Sequence, residues 1–129
     1  MSGRVVHFEL PADNVERARA FYKKTFQWEI QPMPEMNYTM VQTTPVDADQ
    51  LPKDPGAING GIAARGSPPP VKAPVITIAV DDIDQALKQI AKNGGKTVQG
   101  KQSIGPMGFT AYFQDPEGNV RGLWQGPSE

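Results

Sequence analysis

The stretch DNVERARAFY at residues 13–22 is answered further along the chain by DDIDQALKQI at residues 81–90. In the first, Val15, Ala18, Phe21 and Tyr22 fall at helical spacing. In the second, Ile83, Ala86, Leu87 and Ile90, with Ala91 beyond, make one apolar stripe. A single offset carries Val15 onto Ile83, Ala18 onto Ala86, Tyr22 onto Ile90 and Asp13 onto Asp81. A repeat of this kind points to two copies of one supersecondary unit. Each copy also opens on a capping residue. Asp13 with Glu16 three residues later makes a capping-box pattern, and Asp81 or Asp82 caps the second helix.

Outward from each helix the period changes from helical to two. Val6, Phe8 and Leu10 form one row of a strand, and Val5, His7 and Glu9 form the other. After the first helix, which ends near Phe26, strands are predicted at Trp28–Ile30, Tyr38–Thr43 and Ala57–Ala64. Gly60 and Gly61 in the last of these mark a bulge or a close backbone approach. Residues 45–56 hold three prolines and three aspartates and read as a loop. The run Ser67-Pro68-Pro69-Pro70 is expected to be a stiff, extended polyproline connector. The programme then restarts: a strand at Val75–Val80, the helix ended by Asn93-Gly94-Gly95, and strands at Lys96–Gln99, Phe109–Gln114 and Val120–Gln125. The turn Asp115-Pro116-Glu117-Gly118-Asn119 joins the last two.

The expected fold is therefore α+β, two tandem βαβββ modules. A length of 129 residues fits one domain over residues 1–129. Module one takes about residues 1–66, a Pro-rich connector about 67–73, and module two about 74–129. The chain has no cysteine, which removes disulfides, thiolate nucleophiles and zinc sites with sulfur ligands, and a cytoplasmic setting is expected. The net charge is −1 with scattered basic residues, so no nucleic-acid partner is expected. The opening Met1-Ser2-Gly3-Arg4 lacks the apolar core of a signal peptide, and no apolar run is long enough to span a membrane.

Two patterns resemble the vicinal oxygen chelate superfamily, which includes glyoxalase I, extradiol dioxygenases and bleomycin resistance proteins. One is His7-Phe8-Glu9-Leu10, then Asp13, Arg17-Ala18-Arg19-Ala20-Phe21-Tyr22 and Phe26-Gln27-Trp28-Glu29. The other is Phe113-Gln114-Asp115-Pro116-Glu117-Gly118-Asn119 with Leu123-Trp124. The likeness is nearest to the branch related to lactoylglutathione lyase, although Gln27 stands where the family usually has Gly. The resemblance implies that the modules pair into a cupped mixed sheet. Helices would cover its convex face and the active site its concave face. It also implies a homodimer and a small-molecule ligand.

Metal-using members of that superfamily take His, a second His or Gln, and Glu from the first and last strands of their modules. In this chain His7 stands at the first ligand position. The matching places hold Val75, Gly122, and Gly60 or Gly61, none of which can supply a donor. Two candidates, His7 and Glu9, fall short of the three protein ligands a catalytic ion needs, so neither a metal nor another cofactor is expected.

His7, the only histidine, has two readings. It is a hydrogen-bonded structural residue of the sheet, or a ligand-orienting or general-base group whose pKa the neighbouring Glu9 raises. Glu9 is either its partner in catalysis or a solvated strand residue. Face parity adds Thr77, two residues from Val75, and Trp124, two from Gly122. Tyr112 is added by its place before Asp115. These three are the candidate ligand contacts, against plain core packing. The functional expectation is a small-molecule binding protein or a metal-independent lyase or isomerase. The alternatives are a divalent-metal glyoxalase or dioxygenase type and a non-catalytic accessory or drug-sequestering domain.

Overall fold

The computed structural model describes residues 3–66 and 69–127. They divide into two compact units, one of residues 7–74 and one of residues 3–6 with 75–127. Each holds four strands and one α-helix, so the fold is α+β.

The first unit contains β1 (Val5–Ala12, whose first two residues group with the other unit), α1 (Val15–Phe26), β2 (Glu29–Met33), β3 (Tyr38–Gln42) and β4 (Asn59–Ala64), with a 3-10 turn at Pro34–Met36. Its strand order is β2-β3-β4-β1. The β2–β3 and β3–β4 pairs are antiparallel, and β1 lies parallel to β4. The parallel pair sets the register that matters here: His7 stands opposite Asn59, Phe8 opposite Gly60, and Glu9 opposite Gly61. Alternation then separates the faces. Phe8, Leu10 and Ala12 join Val41, Ile62 and the α1 residues Val15, Ala18 and Tyr22 in one apolar core. Tyr22 stacks on Trp28 with ring centroids 4.8 Å apart, closing the end of that core. His7 and Glu9 are left on the face away from the helix.

The second unit contains β5 (Val75–Ala79), α2 (Ile83–Lys92), β6 (Lys96–Ser103), β7 (Phe109–Gln114) and β8 (Val120–Gln125), in the order β5-β8-β7-β6. The β5–β8 pair is parallel and the others antiparallel, as in the first unit. Gly3 and Arg4 add hydrogen bonds to Ala79. Ile83, Ala111, Phe113 and Leu123 form the core, with Ile78, Leu87 and Ile90 packed against it. Ile83 has no exposed surface, and its backbone N–H donates to the Gln125 side chain at 2.9 Å.

Three local expectations change. The cap of α1 is Asn14, whose side chain accepts from the Arg17 N–H at 2.9 Å, while Asp13 is drawn aside to pair with Arg65. The cap of α2 is Asp82. The offset that aligns the two helices therefore also aligns their true caps. The strand β6 runs to Ser103 rather than stopping at Gln99, because register shifts let it stay paired with β7. The connector is not extended where it is described. Val71 N–H bonds to the Pro69 carbonyl at 2.8 Å, a tight turn around Pro70 that delivers Val71 into full burial. Ser67 and Pro68 lie outside the described residues.

The turn from Asp115 to Asn119 is held by Asp115, whose carboxylate accepts from the backbone N–H groups of Glu117 and Asn119, each at 2.9 Å. These bonds, the one from Asn119 first, hold the Asp115 carboxyl below its usual pKa. Gly118 takes a positive φ of 85° there.

The capping assignment separates two adjacent substitutions. Asn14→Ala should cost about 1 kcal/mol in urea unfolding. Asp13→Ala, which breaks only the exposed pair with Arg65, should cost less than about 0.5 kcal/mol. Equal losses would return the cap to Asp13.

Candidate functional site

In the first unit the candidate face begins with His7 and Glu9 on β1. Glu9 is only 5% exposed, a rare position for a carboxylate. Across the parallel pair it meets Gly61, and the space above Gly61 belongs to Tyr38. A side chain at residue 61 would run into the Tyr38 ring and hydroxyl. From there the Tyr38 hydroxyl lies 2.8 Å from His7 Nε2, and the two rings lie nearly parallel, 20° apart. Gly61 is thus glycine because an aromatic ring crosses it. Phe8 likewise crosses Gly60 on the opposite face.

This arrangement changes the expected acidity of His7. Burial among the aromatic rings pushes its pKa down from 6.5 to about 4, so the adjacent carboxylate does not lift it into a working range. His7 is a neutral imidazole near pH 7, with one nitrogen that donates and one that accepts. A neutral ring locked by Tyr38 suits hydrogen bonding to a ligand better than it suits proton abstraction. The buried carboxylate of Glu9 is the stronger candidate for that step.

In the second unit, Thr77 of β5, Gly122 of β8 and Tyr112 of β7 are direct register partners and form one row. Thr77 and Tyr112 are buried. A Cβ at Gly122 would stand 2.8 Å from Thr77 Oγ1, so the threonine hydroxyl fills the space that the glycine leaves. Trp124 lies two residues along β8 on the same face. Its indole N–H donates to the Met107 carbonyl at 2.8 Å, so its polar tip anchors a 3-10 turn and only the ring remains for other contacts. The opposite face of this sheet carries Leu123, Ala111 and Phe113 into the α2 core.

The places that would ligate an ion do not suit one. Val75 has no donor, Gly61 lies under Tyr38, and Gly122 lies beside Thr77. Among the described residues no three His, Asp or Glu side chains converge. Sequence reasoning missed Tyr38, although its parity with Met40, which pairs with Gly61, puts it on the His7 face.

Two repeated units, each of four mixed strands backed by one helix, define a protein of the glyoxalase-like class. Comparison with known proteins agrees. Residues 4–44 match the family model of the bleomycin resistance protein-like N-terminal region. A glyoxylase-like domain-containing protein of Didymella fabae is 30% identical over 132 residues, covering 100% of this chain and 98% of its own. The chain belongs to the vicinal oxygen chelate superfamily. Among solved structures, a Streptomyces coelicolor methylmalonyl-CoA epimerase variant in complex with 2-nitronate-propionyl-CoA has a TM-score of 0.67 at 15% identity. The match covers 99% of this chain and 100% of that one. The epimerase of Mycobacterium tuberculosis gives 0.64 at 12% identity, covering 98% and 89%. These two likenesses are of fold.

The depressed His7 pKa has a pH consequence. Between pH 6.5 and about 4 the unfolded chain binds a proton that the folded chain refuses, so stability falls with pH across this window. The full effect is at most on the order of 3 kcal/mol and is complete below the folded pKa. Urea unfolding of the wild type and of His7→Gln across the window should show that part of the decline missing from the variant. Parallel curves would mean that His7 titrates normally. Separately, Gly61→Ala should displace Tyr38 and cost about 1–3 kcal/mol by overpacking. In nitrogen-15 NMR spectra the His7 ring signals should move with it.

Proposed function

We propose that this chain binds a small carbonyl compound against the β1 face carrying His7 and Glu9, and moves a proton on it without a metal ion. The observation that carries this reading is Glu9, a carboxylate with 5% exposure beside a desolvated imidazole, both turned away from the helix. Glu9 would take a proton from a carbon next to a carbonyl group while the bonding pair moves onto the carbonyl oxygen. The proton held on Glu9 exchanges with water, and its return to the opposite face of that carbon, after the enolate has turned over, gives the epimer, so atoms and charge balance with no co-reactant. The neutral His7, oriented by Tyr38, would hydrogen-bond the ligand. Thr77, Tyr112 and Trp124 stay as proposed ligand contacts on the face of the second unit. Epimerases among the structural neighbours make acyl thioesters natural first compounds to try.

A homodimer belongs to this reading, supported by the prevalence of symmetric pairs. So does a cytoplasmic setting, for which the absence of cysteine is suitable. No helix among the described residues is long and apolar enough to cross a membrane.

One observation favours a second reading, sequestration without chemistry. The bleomycin-resistance-like match covers His7, Glu9 and Tyr38 together. Thermal shift against acyl thioesters, hemithioacetals and bleomycin should find a stabilising ligand. Proton NMR in deuterated water should then show exchange at the carbon beside the carbonyl. Glu9→Gln should retain binding and lose exchange by about 100-fold or more, while His7→Ala should weaken binding. Binding with no exchange in the wild type would select sequestration. Unchanged exchange in Glu9→Gln would remove Glu9 from the chemistry.

A further inference from the structure

The first unit holds a cavity of about 320 Å³ on the other face of its sheet, beneath α1. Val15, Pro32 and Ile62 give it apolar walls, and Arg19, Asn37 and Thr39 give it polar ones. Arg19 follows Val15 by one helical turn, so both point from α1 toward the sheet. Its Nε donates to Thr39 Oγ1 at 2.8 Å, and Thr39 has no exposed surface. That bond fixes the guanidinium plane. The two terminal nitrogens have neither a hydrogen bond nor an ion pair among the described residues.

Arg65, by contrast, is a satisfied arginine. Arg65 spends its guanidinium on the Asp13 carboxylate and the Lys72 carbonyl, as a structural arginine does. Arg19 is held from one side only and presents a planar fork to a cavity large enough for a ligand.

We propose that this cavity is a binding site for the carboxylate of a small organic monoacid, distinct from the His7–Glu9 face. The two terminal nitrogens of Arg19 would take the two carboxylate oxygens, and Asn37 would add a neutral polar contact. The short apolar body of the acid would rest on Val15, Pro32 and Ile62. One cation matches one negative charge, which favours a monocarboxylate over a phosphate dianion. The volume is at the lower end for small-molecule sites and fits a short chain rather than a cofactor.

The test is a titration of the full chain with sodium butyrate at constant ionic strength, followed by two-dimensional nitrogen-15 NMR. The Arg19 Nε–H signal and the backbone amides of Asn37 and Thr39 should shift together and saturate, with a Kd in the millimolar range or below. Arg19→Lys keeps the charge but loses the fork and should bind about tenfold more weakly. Arg19→Gln should not respond at all, and its remaining spectrum should report an intact fold. Equal shifts in Arg19→Gln, or no saturable shift in the wild type, would overturn the site. Tighter binding of inorganic phosphate than of butyrate would overturn the carboxylate assignment. Shifts centred on His7 instead would show that the acid uses the other face.

Discussion

The parallel pairing of β1 with β4 is the constraint from which the rest of the first unit follows. It places Glu9 against a residue with no side chain, and that gap is where Tyr38 reaches across to His7. Shifting the register by one residue would exchange Phe8 and Leu10 for His7 and Glu9 in the α1 core. The apolar core and the polar face are thus two results of one alignment. Burying a carboxylate and an imidazole in a sheet is costly unless both are satisfied. The hydroxyl of Tyr38 provides the imidazole with its hydrogen-bond partner.

The second unit solves the same geometric problem with other chemistry. Gly122 is crossed by the Thr77 hydroxyl where Gly61 is crossed by the Tyr38 ring. Thr77 stands opposite Gly122 as Glu9 stands opposite Gly61, so corresponding positions on the two sheets hold an acid and an alcohol. The repeat preserves backbone and cap positions while the buried polar chemistry of the face away from each helix differs.

How much of this could be read beforehand follows from periodicity. The helices, the strands and the facing of β1 were legible because apolar spacing is a property of the chain itself. Asn14 was passed over for Asp13 because both residues cap well, and only the distant Arg65 decides between them. The polyproline expectation failed at Pro69 and Pro70 because burial of Val71 favours a turn over local stiffness. In the candidate site, His7 and Glu9 could be named from sequence, but the acidity of His7 could not. It depends on rings brought in from β3 and from Phe8. Arg19 was one basic residue among many until Thr39, twenty positions away, fixed its orientation.

The ring over Gly61 also limits the paths by which this chain could change. A lineage seeking an acidic donor at residue 61 must first vacate the aromatic above it, and that loss strips His7 of its neighbour. Each single step is harmful and only the combination is useful. Such a dependence behaves as a ratchet: with the tyrosine settled across the glycine, an acidic donor at residue 61 is closed to one-letter changes.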